Sequence, residues 1–537
     1  MSTLRDKSRP LWLSVLLSQL ALLIGLFVWL AGEMRPVYMH DLQLSAGEKL
    51  KCVSYAPYHH PGQTPFDAQL RISPEQISTD LRALARITDC VRLYSVDQGL
   101  EQVPEIARSV GIKVLLGAWI GYDVDKNAAE LDRAIALANA NADVVRALIV
   151  GNEVLLRRER TEDEMRALIR STKARTTVPV TYADVWEFWT RHDSLAQEVD
   201  FVTVHILPFW EDDPVDIEHA LEHVIATRSH VGEHFAGKPI LIGETGWPSA
   251  GRQRQASRPA LVNQARYVRE FVHQAHARGW DYNLIEAIDQ PWKRALEGTV
   301  GGFWGMLDAS TLAPKFALAG PVAERTNLRG LVVGAIVGAL SGLLLGMRRA
   351  SGGLLRRAAL VMLGASSGLI AVLHAEHAQL AYRNALEWSV LGAVAVLGVL
   401  LAAALALWRG EAIPDAASAW SDLRKRDAPF SMAQVLGLLR GFILFAAAIA
   451  AVLLWVDSRY RDFPVLLYLS PAAVLGVLGW VEATRGRAER ICAALIAMAV
   501  LGRYLPEPAN PQAIAWLLTG LVLALPVLLA RARKHEK

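Results

Sequence analysis

Hydrophobic positions follow two different rhythms along the chain. From about Ala46 to Ala313 they come in short runs: "CVSYAPY", "CVRLYS", "IKVLLGAW", "RALIVGNE", "PVTYADV", "DFVTVHI", "KPILIGET" and "YNLIEAIDQ". Charged stretches of helical periodicity separate them. Near-continuous Val, Ile and Leu implies strands buried on both faces, as in a parallel sheet. Eight such runs with helices between them predict an α/β fold, a (β/α)8 TIM barrel over residues 46–320. A doubly wound sheet is the competing arrangement, but no Gly-rich phosphate loop follows the first run.

On either side the apolar runs are long. Leu11–Ala31 carries no charge, follows Arg5, Lys7 and Arg9, and lacks a small-residue cleavage site. It reads as an uncleaved transmembrane anchor rather than a removed signal peptide. Further spans are expected at Leu331–Met347, Ala359–Leu373, Leu386–Trp408, Ala433–Val456, Pro464–Ala483, Ile491–Leu505 and Ala513–Ala530. They make residues 331–530 a multi-helix membrane domain of about seven helices, about eight with the anchor. The basic segments "MRRASGGLLRR", "RKR", "TRGRAER" and "RARKHEK" fall on alternate connections, and the opposite loops are poorer in Lys and Arg. The positive-inside rule then puts residues 1–10 and the tail 531–537 in the cytoplasm and the barrel outside.

Composition agrees with this division. Hydrophobic residues make up 53% of the 537 positions, and mean hydropathy is +0.24. A net charge of +3, with no basic tract interleaved with aromatics, argues against a nucleic-acid partner. Three cysteines are too few for a disulfide framework or a zinc site. Cys52 and Cys90 read as two buried small hydrophobes, with pairing left open if their strands are neighbours. In the membrane part, Gly334, Gly338, Gly342 and Gly346 recur at every fourth position, which suits close helix packing. "HAEH" (374–377) reads as a solvated loop rather than a metal site, and Arg440 as a snorkelling side chain near an inner end.

Polar residues gather at one end of the eight short runs. Tyr55 and Tyr58 follow the first, Arg92 and Tyr94 close the second, and Trp119 closes the third. Asn152 and Glu153 close the fourth, Tyr182 and Asp184 the fifth, His205 the sixth and Glu244 the seventh. Glu286, Asp289 and Gln290 close the eighth. In a barrel all of these ends share one rim, where active sites are built. Two carboxylates facing across a cleft, Glu153 and Glu244, are the machinery of glycoside cleavage. Trp186, Trp189, Trp210, Trp247 and Trp292 lie just beyond strand ends and offer flat faces to sugar rings, with core filling as the competing role.

The segments "VGNEVLLR", "IGETGWPS" and "EAIDQPWK…EGTVGGFWGMLD", with "VSYAPY", "VRLYS" and "FVTVHILPFW", resemble glycoside hydrolase family 17. These are the β-1,3-glucanases and β-1,3-glucan transglycosylases. The resemblance covers roughly half the chain. It implies Glu153 as general acid/base, Glu244 as nucleophile and Asn152 as a partner of the sugar 2-hydroxyl. Lys293 and Glu297 match charged positions of the family's cleft. Gln290 stands where several relatives carry Glu, and Cys52 where a small residue is usual.

The expectation is a retaining transglycosylase acting on β-1,3-glucan, in a bacterial inner membrane with its catalytic domain in the periplasm. It implies membrane lipid and a glucan synthase as candidate partners, and no cofactor or metal. A plain glucanase and a non-catalytic glucan export or sensing protein are the alternatives. A synthase is disfavoured because the cytoplasmic loops are too short to hold a nucleotide-sugar domain.

Overall fold

The computed structural model describes residues 3–42, 44, 48–348, 353–425, 430–481 and 485–529. The chain forms two compact units, Pro36–Val322 and a second made of Met1–Arg35 with Ala323–Lys537.

The first unit is a closed barrel of eight strands: β1 (Val53–Ser54), β2 (Cys90–Arg92), β3 (Lys113–Ala118), β4 (Val145–Asn152), β5 (Val180–Val185), β6 (Val202–His205), β7 (Ile240–Thr245) and β8 (Asp281–Leu284). Neighbours pair in parallel, and β8 closes on β1 through Leu284 and Val53. The eight apolar runs of the sequence are these strands. Alternation along them divides the core in two. Val114, Leu116, Leu148 and Val150 pack outward against helices, while Leu115, Ala147, Ile149, Ala183 and Leu241 fill the barrel interior. Helices start where capping residues permit. Ser73 caps Pro74–Leu84, and a reciprocal Thr161–Glu164 box opens Glu162–Lys173.

Cys52 and Cys90 belong to the interior cluster and are joined by a disulfide, with Cα atoms 4.3 Å apart. This corrects the expectation of two separate hydrophobes. The register Val53↔Val91 sets the preceding residues side by side on adjacent strands, within reach of a bond. The unit also begins earlier than Ala46. Val37 pairs with Val322 in an antiparallel bridge, and the Leu42 N–H donates to the Leu318 carbonyl at 2.8 Å.

The second unit holds helices Thr3–Glu33, Arg329–Met347, Leu354–Ala381, Ala385–Leu407, Ala416–Lys425, Met432–Val456, Val465–Val481, Arg487–Tyr504 and Pro511–Leu529. Among the described residues, six helices are long and apolar enough to cross a membrane, rather than about eight. Val465–Val481 has 17 residues and contains Pro471. Arg487–Tyr504 carries Arg487, Glu489, Arg490 and Arg503. The glycine stripe packs as expected. A Cβ on Gly338 would lie 2.0 Å from the Gly364 carbonyl oxygen, and one on Gly364 2.0 Å from that of Gly338. Each glycine therefore makes room for the other helix's backbone.

Two expectations change here. Arg440 does not snorkel: it is buried, and its guanidinium donates to Glu489 Oε1 at 3.0 Å and to the Pro414 carbonyl at 3.0 Å. A buried guanidinium needs such a partner, since an uncompensated charge costs several kcal/mol, on the order of 3–5. "HAEH" ends the helix Leu354–Ala381 instead of forming a loop, because no Gly or Pro interrupts its Ala-rich sequence. The tail 531–537 and the basic positions Arg349 and Arg426 lie outside the described residues.

Candidate active site

The C-terminal ends of the strands build the site. β4 ends on Asn152, and Glu153 follows with φ +53°, left-handed backbone that a residue with a Cβ seldom adopts. The turn is held by the Glu153 N–H, which donates to the Ala183 carbonyl at 2.8 Å, and by Arg157, which donates to the Asn152 carbonyl. Strain kept at one rim position points to a function for its side chain. The ladder also loses regularity between Ile149 and Asn152 on β4, between Val204 and His205 on β6, and between Ile242 and Thr245 on β7. Such irregularities re-aim side chains where the strands meet the rim.

Glu244, near the end of β7, is 5% exposed. Its Oε1 accepts from Arg92 Nη1 at 3.0 Å and from the Tyr94 hydroxyl at 2.8 Å. Arg92 also donates to the Gly243 carbonyl at 2.7 Å and to the Asn152 side-chain oxygen, joining β2, β4 and β7 through one guanidinium. His205 Nδ1 lies 2.9 Å from Glu153 Oε1, and its Nε2 lies 3.7 Å from Glu244 Oε1. An oxygen of Glu153, a ring nitrogen of His205 and an oxygen of Glu244 all fall within 4.8 Å of one another. This trio has the donor types of a cation site, but Arg92 already supplies a fixed positive charge against Glu244 and His205 Nε2.

Electrostatics separates the carboxylates. Burial would raise Glu244, yet His205, Arg92, Tyr94 and Lys293 outweigh it and hold the group below the ordinary carboxylate value. It is therefore an anion at neutral pH. Burial pushes Glu286 up to about 7 against the pull of Lys293, whose Nζ is 2.9 Å from Oε2. Asp184 is raised to about 6 by burial, the Tyr182 hydroxyl opposing and the Glu153 charge adding. Burial also raises Glu297 despite Lys293, and the charges of Glu153 and Glu244 push the same way. A carboxylate held ionised within 4.8 Å of a second, partly exposed carboxyl fits covalent capture at an anomeric carbon, for which separations of about 5–5.5 Å are typical. A gap of about 6.5–9.5 Å would leave room for an interposed water.

The barrel matches the family model of the BtgE/BtgC glycoside hydrolase domain over residues 52–305. A glucan 1,3-β-glucosidase of Arthroderma benhamiae is 31% identical over 228 residues, which is 39% of this chain and 72% of that protein. The chain belongs to this glycoside hydrolase family. A second relative, the glucan 1,3-β-glucosidase of Saccharomyces cerevisiae, is 24% identical over 44% of this chain and 83% of its own length. The match spans only 42% of the longer btgC protein of Aspergillus niger. Among solved structures, the glycoside hydrolase family 17 β-1,3-glucanosyltransferase from Rhizomucor miehei is 25% identical. It aligns over 50% of this chain and 98% of its own, with a TM-score of 0.44. The helical residues after Val322 lie outside the family match.

Within this glycosidase or transglycosylase, the residues singled out in sequence take different places. Arg92, Tyr94, Asn152, Glu153, His205 and Glu244 share one hydrogen-bonded cluster. Lys293 joins it through Glu286 and through the field it shares with Glu297 and Glu244. Tyr182 bonds Asp184 and accepts from the Leu155 N–H, buttressing the segment after Glu153. Tyr55 is buried and donates to Asp80 at 2.8 Å. Gln290 is buried, donates to the Ala56 and Ile288 carbonyls, and accepts from Trp292 Nε1.

The tryptophans divide. Trp247 and Trp189 are fully buried, their N–H groups donating to the Arg258 and Thr203 carbonyls. Trp119 is 41% exposed with Arg157 against its ring. Trp292 is half-buried and meets Tyr58 and Phe66 edge-on. Three contributors carried no sequence signal. Ser54 Oγ donates to the Tyr94 hydroxyl, whose own hydrogen goes to Glu244, and accepts from Asn283 Nδ2, and Arg157 braces the Asn152 carbonyl. Ser54 and Asn283 look like ordinary strand positions, and Arg157 sits in a run of similar charges.

Proposed function

We propose that the chain is a membrane-anchored retaining β-1,3-glucan transglycosylase that works by double displacement. One observation carries the reading: oxygens of Glu153 and Glu244 approach within 4.8 Å at the rim of a glycosidase barrel. The relatives' names, glucan 1,3-β-glucosidases, support β-1,3-glucan as substrate. Glu153 gives its proton to the glycosidic oxygen as Glu244 attacks the anomeric carbon and the C–O bond breaks, leaving a glycosyl ester on Glu244. Glu153, now a carboxylate, takes the proton of an incoming sugar hydroxyl whose oxygen attacks the same carbon and displaces Glu244.

Helices long enough to span a bilayer, with the basic connections facing inward, support a multi-pass protein of a bacterial inner membrane with both termini cytoplasmic and the barrel in the periplasm. The Cys52–Cys90 bond fits that side, since such bonds persist outside the reducing cytoplasm. An active site tethered there meets newly exported glucan, which favours remodelling over digestion and makes a glucan synthase and membrane lipid its natural neighbours. Detergent-solubilised protein given β-1,3-glucan oligosaccharides should form products longer than the substrate. Glucose and shortened oligosaccharides alone would establish a plain glucanase instead. Full biological activity of Glu244→Gln would establish a non-catalytic export or sensing protein.

A further inference from the structure

We propose that His205 is a positioning residue that couples the two carboxylates and fixes which oxygen of Glu153 carries the acid proton. The assignment rests on the double-displacement reading above. The His205 side chain is fully buried, and its two ring nitrogens point at different members of the pair. Nδ1 is 2.9 Å from Glu153 Oε1; Nε2 is 3.4 Å from Arg92 Nη1 and 3.7 Å from Glu244 Oε1. A guanidinium can only donate, so Nε2 presents its lone pair to Arg92 and the ring hydrogen sits on Nδ1. That hydrogen is donated to Glu153 Oε1. The proton that Glu153 gives up and later regains is thereby confined to Oε2.

The ring is wedged in this pose. A Cβ on Gly243 would lie 3.1 Å from His205 Cδ2 and 2.4 Å from Thr203 Cγ2, so only glycine leaves the space that the imidazole occupies. The charged and titratable groups facing the His205–Glu153 bond are Arg92 from β2, Asp184 from β5, Glu244 from β7, and Lys293 and Glu297 beyond β8. Held among them, the Nδ1 hydrogen stays aimed at Oε1 and leaves Oε2 as the oxygen that faces substrate chemistry.

The test uses the full-length protein in detergent, with His205→Ala and the conservative His205→Asn, whose amide can still donate. On β-1,3-gluco-oligosaccharides, His205→Ala should lower kcat about 100-fold with KM changed less than about threefold. On a dinitrophenyl glucoside, which needs no proton, attachment to the enzyme should slow less than about tenfold. The basic limb of the kcat/KM profile should move up by about 0.5–1 pH unit as the donor is lost. His205→Asn should recover at least about tenfold in kcat. Equal losses on both substrates with an unmoved basic limb would overturn the assignment. So would wild-type rates in His205→Ala. If His205→Ala does not fold, as judged by circular dichroism, the His205→Asn limb and substrate ratio decide. Wild-type protein inert on every β-1,3-glucan, or undiminished by Glu244→Gln, would overturn the functional reading, a failure separable from that of His205.

Discussion

Glu244 keeps its charge in a buried place because a guanidinium, a phenol and an imidazole surround it. Arg92→Met removes one of the two hydrogen-bond donors to Glu244, together with its positive charge, at similar length, so the Glu244 value should rise. A nucleophile must be ionised; activity is lost as pH falls through that value, and the acidic limb of kcat/KM should therefore move upward, by about 1 unit or more. An unmoved limb would place the nucleophile elsewhere. Glu153→Ala should slow cleavage of natural linkages about 10³-fold but that of activated aryl glucosides about tenfold or less, since a good leaving group needs no acid. Equal losses would mean that its role is misassigned. Chain order alone disclosed the members of this cluster, because polar residues closing apolar strands must share a rim. It could not disclose their orientation. The left-handed turn at Glu153 depends on the Ala183 carbonyl of the next strand and on Arg157, a nearby arginine that nothing in sequence sets apart from Arg158 and Arg160. Trp247 and Trp119 look alike in sequence, yet one fills the core and the other faces solvent, a distinction set by which helices pack above each strand end.

Strands were readable as elements because both their faces are buried and their composition says so. Helix spans were less so, since charges such as Glu489 become tolerable only when a partner such as Arg440 arrives from another helix. Two connections between elements invite measurement. His59 Nε2 sits 3.1 Å from both Asp80 oxygens, and Nδ1 is 2.8 Å from the Ala309 carbonyl. Burial opposes the charged imidazole, but Asp80 and the carbonyl outweigh it and raise its value. With the folded value above the unfolded one, the stabilisation is complete below about pH 6.5 and is lost as pH rises through the folded value. The Tm gap between wild type and His59→Gln should accordingly shrink from pH 5 to pH 9; a constant gap would refute the charged latch. Replacing Cys52 and Cys90 together by alanine should cost about 2–4 kcal/mol in unfolding free energy, and reductant should then leave the variant's Tm unchanged.

At the scale of the molecule, a glycosidase barrel is interpolated between one apolar helix and the rest of a helical bundle. A fluorescent protein fused after Lys537 should glow in the cytoplasm, whereas alkaline phosphatase there should stay inactive; the reverse pattern would invert the proposed orientation. Each unit ties together its own two chain segments. Val37 pairs with Val322 in the barrel unit, and the Arg325 N–H donates to the Glu33 carbonyl at 2.9 Å in the helical one. Within each unit, the segment entering and the segment leaving the barrel therefore lie side by side. Evolution, or an engineer, could exchange the whole sugar-handling module for another whose ends also meet, leaving every apolar helix in its original order.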